Sequence, residues 1–185
     1  MPRKPTPIPI PCKADSPSGP QKAGSPPDPN EAELRQAIEM LFYAYRDFIA
    51  GPDAMLEQYN LGRAHHRAIY FIGRYPQITV NELLDILKIT KQSLNRVLGQ
   101  LLKEGYVIQK TSEQDRRRRL MELTAKGRAL ERQLTENQRI RIARAYRDAG
   151  PDAVAGFRKV MLGVMSDDED RRRFDPTNQT SKSPE

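Results

Sequence analysis

Thr79-Val80-Asn81-Glu82-Leu83-Leu84-Asp85-Ile86-Leu87-Lys88-Ile89-Thr90-Lys91-Gln92-Ser93-Leu94-Asn95-Arg96-Val97-Leu98 is the stretch whose reading decides the fold. It opens in the T-x-x-E form, in which a threonine hydroxyl and a glutamate carboxylate each satisfy a free backbone N–H at a helix start. Val80, Leu83, Leu84 and Leu87 then share one face. Lys88-Ile89 leaves room only for a short turn before Thr90, a second capping residue. The helix that follows, 91–104, buries Leu94, Val97, Leu98, Leu101 and Leu102, and Gly105 supplies a left-handed residue to end it. Two short amphipathic helices joined this tightly must cross steeply, which is the helix-turn-helix pattern.

Working outward toward the C-terminus, the period changes. Tyr106-Val107-Ile108-Gln109 and Leu120-Met121-Glu122-Leu123 read as strands, separated by the polar, basic segment Lys110–Arg119. A β-hairpin directly after a helix-turn-helix is a wing. Thr124 caps a long helix of about 125–148, which Gly150-Pro151 breaks. A last helix, 151–165, carries Val154, Phe157, Met161 and Val164 on one face.

Toward the N-terminus, Asn30 and Glu33 form a capping box for a helix over about 31–50. Its residues Leu34, Ile38, Leu41, Tyr45 and Phe48 recur every three or four positions as an apolar stripe. Gly51-Pro52 is expected to end it. Another helix covers 63–72, before Pro76. Residues 1–29 hold ten of the fifteen prolines and too little apolar surface to offset ordering entropy, so they are expected to be disordered. The charge blocks and polar residues of 166–185 read as a second disordered tail, leaving one domain over 30–165 with dimerisation helices at about 31–50 and 125–165. The fold class is mainly α with a small β-wing.

The net charge of +7 is unevenly placed. Residues 61–119 carry 12 basic against 5 acidic side chains, a local net of +7, whereas 1–60 carry a net of −2 and 120–185 a net of +2. Such concentration suits a polyanion-binding module. There is no run of about 18 apolar residues and no apolar signal segment, so a membrane partner is not expected. The lone Cys12 fits a reducing, cytoplasmic setting. Enzyme motifs are lacking: no phosphate-binding glycine loop, no HExxH, no Cys/His cluster at zinc spacing. No cofactor, metal or catalytic residue is expected.

On the helix opened by Thr90, the face opposite the leucines offers Lys91, Gln92, Asn95 and Arg96, with Ser93 at its edge. Asn and Gln can pair bidentately with adenine, Arg and Lys with guanine. A solvated helix face would also be polar, so this face alone favours neither reading. The wing adds Arg116, Arg117, Arg118 and Arg119 in a row. Four adjacent cations repel one another, and a phosphate backbone or narrow minor groove supplies the missing negative charge. Asp115 reads as the partner that orients one of them.

The run Asp115–Gly127 resembles the wing signature of the MarR family, D-x-R followed by a strand and L-T-x-x-G, matched by Asp115, Arg117, Leu123, Thr124 and Gly127. Leu102–Ile108 is similar to the family's passage from recognition helix into wing. Gly62–Ala68 and Ile89–Leu98 resemble the PetP-type branch of that family, found in purple photosynthetic bacteria. The resemblance covers about residues 31–165. It implies a bacterial homodimeric regulator on a pseudo-palindromic double-stranded operator. Lys91, Gln92, Ser93, Asn95 and Arg96 would enter the major groove and Arg117 the minor groove. Asp115 would steady the wing, and Thr90 would cap the helix and touch phosphate. It also implies an intertwined interface, for which the apolar stripes nominate Leu34, Ile38, Leu41, Tyr45, Val154, Phe157, Met161 and Val164. A small-molecule effector of unknown identity is a further implied partner, with Tyr43, Tyr45, Tyr70, Phe71, His65 and His66 near its expected pocket. The alternative is a winged-helix adaptor without sequence-specific duplex binding.

Overall fold

The computed structural model describes residues 28–174, apart from 113, 114, 116 and 117. Residues 1–27 of the segment 1–29 expected to be disordered, and the wing residues Arg116 and Arg117, therefore lie outside the described residues. The chain divides into two units, one up to Leu41 and one from Phe42 onward.

In the first unit, helix α1 (Glu31–Gln58) begins at the expected capping box. The Asn30 N–H donates to Glu33 Oε2 at 2.8 Å, and the Glu33 N–H donates to Asn30 Oδ1 at 3.0 Å. Leu34, Ile38 and Leu41 are exposed, as is Met40.

In the second unit, α1 does not stop at Gly51-Pro52 as expected but runs on to Gln58. Proline inside a helix removes the N–H that would bond the carbonyl four residues back, here that of Phe48. Gln138 replaces that donor: its Nε2 lies 3.1 Å from the Phe48 carbonyl, and its side chain is buried. The orphaned acceptor is satisfied, and the helix continues.

After α2 (Arg63–Arg74) come β1 (Ile78–Thr79), α3 (Val80–Leu87), α4 (Lys91–Lys103), β2 (Val107–Thr111) and β3 (Arg119–Leu123). Then follow α5 (Ala125–Ala149), α6 (Pro151–Val164) and α7 (Asp168–Arg172). The sheet is antiparallel in the order β1-β3-β2, with Val107 opposite Leu123 and Ile78 opposite Met121. Strand β1, only two residues long, was not expected. Leu56, Ile69, Ile72, Leu83, Leu94, Leu101, Met121 and Leu134 are almost wholly buried in one core beneath the helix-turn-helix. Each contributes about 1.5–3 kcal/mol relative to exposure. Leu102, expected inside, lies at the surface. The charged tail expected from 166 instead holds α7 in its described part.

Candidate nucleic-acid interface

The helix-turn-helix is built by local bonds that its own sequence supplies. The Thr79 hydroxyl accepts from the Glu82 N–H, and Glu82 Oε2 accepts from the Thr79 N–H at 2.8 Å, which starts α3. Lys88 ends α3 in the left-handed conformation, φ 50°. Thr90 Oγ1 accepts from the Ser93 N–H at 3.2 Å and donates to Ser93 Oγ at 2.9 Å. Ser93 is thus engaged in the cap as well as standing at the face. Leu94, Val97, Leu98 and Leu101 turn inward, so Lys91, Gln92, Asn95 and Arg96 are left exposed together on the first turns of α4. Lys91 and Arg96 supply the charge of that face, and the two amides its bidentate donors and acceptors. At the other end, Gln100 Nε2 donates to the Asn60 carbonyl at 3.1 Å, tying α4 to the loop before α2.

The wing is anchored at its base. Gly105 ends the passage from α4 at φ 74°. Thr124 Oγ1 donates to the Gly105 carbonyl at 2.7 Å and accepts from the Gly127 N–H at 3.0 Å. Gly127 meets the wing base so closely that a Cβ there would stand 2.0 Å from the Tyr106 carbonyl oxygen. Lys126 lies over the Tyr106 ring at 4.1 Å and donates to the Glu104 carbonyl at 2.8 Å. Threonine, lysine and glycine therefore clip the first turn of α5 to the hairpin root.

Along the hairpin, Lys110 pairs with Glu122 at 2.8 Å, and Arg119 Nη1 donates to Thr111 Oγ1 at 2.7 Å. Toward the tip, the Ser112 N–H donates to the Arg118 carbonyl, the Arg118 N–H to the Asp115 carbonyl, and the Asp115 N–H to Ser112 Oγ. Asp115 and Arg118 are exposed there. The structure thus brings Thr90, Lys91, Gln92, Ser93, Asn95 and Arg96 onto one helix start, followed by a hairpin bearing Asp115 and Arg118.

Between α1, α2 and α5, a cleft of about 750 Å³ is lined by Tyr45, Tyr70, Phe71, His66, Arg67 and Arg139, among others. Arg67 Nη2 donates to the Tyr45 hydroxyl at 3.3 Å, and Arg63 pairs with Asp53 at 2.8 Å. Burial lowers the His66 pKa from its ordinary value, with Asp53 and Glu131 opposing that shift and Arg67 adding to it. Of the expected lining residues, Tyr43 and His65 do not reach the cleft. His65 caps α2 instead, its Nδ1 accepting the Gly62 N–H at 3.1 Å, while its Nε2 is buried without a hydrogen-bond partner. The T-x-x-E pattern hides this cap, because here a glycine precedes and a histidine replaces the glutamate. Gln138 and Lys88 were likewise missed: one acts across ninety residues, the other closes α3 through its backbone and pairs with distant Asp167.

The eight residues nominated for the interface divide by exposure. Leu34, Ile38, Leu41, Tyr45, Phe157 and Val164 are exposed, whereas Val154 and Met161 are half-buried. Among the described residues, no group of three or more His, Cys, Asp or Glu could hold a metal ion, and no helix is long and apolar enough to cross a membrane.

A family model described as MarR family matches residues 59–118. The HTH-type transcriptional regulator PetP of Rhodobacter capsulatus is 52% identical over 144 residues, covering 78% of this chain and 86% of that protein. Among solved structures, Streptococcus pneumoniae FabT in complex with DNA superposes with a TM-score of 0.62 at 21% identity, over 71% of this chain and 94% of FabT. A MarR regulator from Oenococcus oeni superposes with a TM-score of 0.55 at 16% identity, over 68% of this chain and 95% of its own. These two carry the fold, and the 52% identity carries the family. The chain, with its capped helix α4 and clipped basic hairpin, belongs to the MarR family of winged helix-turn-helix, DNA-binding transcription regulators.

Proposed function

We propose that the protein acts as a homodimer on a pseudo-palindromic duplex operator. The observation that carries this is the exposed set Lys91, Gln92, Asn95 and Arg96 on the first turns of α4, followed directly by a basic hairpin. That end of a recognition helix is the one that meets base edges. In this reading Asn95 and Gln92 read bases, Lys91 and Arg96 read bases or phosphates, and Thr90 and Ser93 touch phosphate. Arg116, Arg117 and Arg118 engage the minor groove and its flanking phosphates, with Asp115 orienting the wing. The dimer forms through the apolar faces of α1 and α6, on which Leu34, Ile38, Leu41, Tyr45, Phe157 and Val164 stand exposed and Val154 and Met161 half-buried.

Fluorescence anisotropy against a selected genomic duplex and a scrambled one, at two salt concentrations, tests the reading. A preference of about a thousandfold or more for the selected site is the expected result. Equal affinities that collapse together as salt rises would leave only a basic patch, and the adaptor alternative would take its place.

The cleft supports a second element, a small aromatic effector. Its aromatic walls suit a ring, and the guanidinium groups of Arg67 and Arg139 suit an acidic substituent. Salicylate titrated into the protein–operator complex should release the duplex, and Arg67→Ala should blunt the response. An unchanged complex at saturating salicylate would remove that ligand class.

A further inference from the structure

The acidic segment after α6 returns to the reading head. Lys88 Nζ lies 3.0 Å from Asp167 Oδ2. Lys88 occupies the turn between α3 and α4, separated by one residue from Thr90, the cap of the reading helix. Two residues of extended chain reach at most about 7 Å, so the backbone that carries this ammonium lies next to the end of α4 assigned to the groove.

The contact is held from both sides. Lys88 is fixed by its left-handed backbone, and its N–H donates to the Leu84 carbonyl. The other carboxylate oxygen of Asp167 caps α7, accepting the Glu169 N–H at 2.9 Å. Arg171 Nε donates back to the Met165 carbonyl at 2.7 Å, and its Nη1 to Asp168 Oδ1 at 2.9 Å, which closes the segment into a clasp. Asp168 and Glu169 stand exposed on the same short helix, Asp168 paired with Arg171.

We propose that Lys88 is a further phosphate-contacting residue and that Asp167 holds it in reserve, occupying the ammonium as a phosphate oxygen would. This rests on the duplex-binding reading above. A carboxylate and a phosphate oxygen compete for the same cation, so the duplex must displace Asp167 to use Lys88. The clasp thus sets duplex affinity below what the helix, the wing and an unoccupied Lys88 would give together.

Two charge-removing substitutions that respect the backbone test it. Asp167→Asn keeps an oxygen to cap α7, and Lys88→Asn keeps a residue tolerant of the left-handed region. Affinity for the selected and scrambled duplexes is measured across salt for the wild type, each single variant and the double variant. The expected result is that Asp167→Asn binds both duplexes more tightly, with a salt slope steeper by about 0.9 per protomer. In the Lys88→Asn background the same change should alter neither affinity nor slope. Identical slopes for wild type and Asp167→Asn, with wild-type binding intact, would overturn the proposal alone. A gain that persists in the Lys88→Asn background would overturn it too, since general acidic repulsion would then suffice. A wild type with no affinity for any duplex would instead remove the parent reading, and this proposal with it.

Discussion

Single side chains set limits that measurement can reach. Gly127 is required because any β-carbon would collide with the Tyr106 carbonyl oxygen. Gly127→Ala should destabilise the domain by about 3 kcal/mol or more, read by denaturant unfolding, because the obstacle is backbone that cannot rotate away. A loss under about 0.5 kcal/mol would show that the wing root is looser than described. His66 gives a pH dependence of definite sign. Its pKa is lowered in the fold by burial, so below an ordinary value of about 6.5 the unfolded chain takes up a proton more readily than the native one. Stability is therefore full above that value and is lost as pH falls through the window beneath it. Melting temperatures taken from about pH 8 down to about pH 5 should drop less for His66→Gln than for the wild type. Equal drops would assign the acid sensitivity elsewhere.

Among elements, α4 turns its leucines inward and its amides and cations outward. Asn95→Ala or Gln92→Ala should cost about 1–3 kcal/mol against the selected operator and little against scrambled duplex. Equal losses on both would mean that the helix only positions the protein. Thr90→Ala should cost about 1 kcal/mol of folding stability through loss of the cap on Ser93 N–H. The caps at Asn30, Thr79, Thr90 and Thr124 and the left-handed Gly105 were legible in the sequence because each depends on partners three residues away or on its own backbone. The end of α1 was not legible at all. A Gly-Pro pair stops a helix unless something distant replaces the missing donor, and nothing in the neighbourhood of Pro52 announces Gln138. Strand β1 was equally hidden, since two residues give no alternation to read, and the pairing of Ile78 with Met121 comes from tertiary approach.

For the molecule as a whole, charge and exposed apolar side chains concentrate in different stretches of the sequence. The basic excess falls in residues 61–119, while α1 and α6 expose phenylalanine, leucine, isoleucine and valine side chains to solvent in the single chain. Replacing Leu41 and Met161 with aspartate should dissociate the proposed dimer and abolish tight operator binding while leaving the helix-turn-helix folded. Sedimentation showing an intact dimer would contradict the interface assigned to those faces. The amides and cations of α4 were legible as a candidate site because inward leucines fix which residues must face out. The clasp on Lys88 was not, because an acidic run reads as a solvated tail until its chain is seen to turn back. The bond from Gln138 to the Phe48 carbonyl has a consequence for how this sequence can vary. Proline at 52 and glutamine at 138 are bound to each other's history: Gln138→Leu should cost about 1–3 kcal/mol here, yet almost nothing once Pro52→Ala has restored the backbone donor. The order in which two such changes arrive then sets how much stability the intermediate keeps, and the glutamine is lost at least cost after the proline.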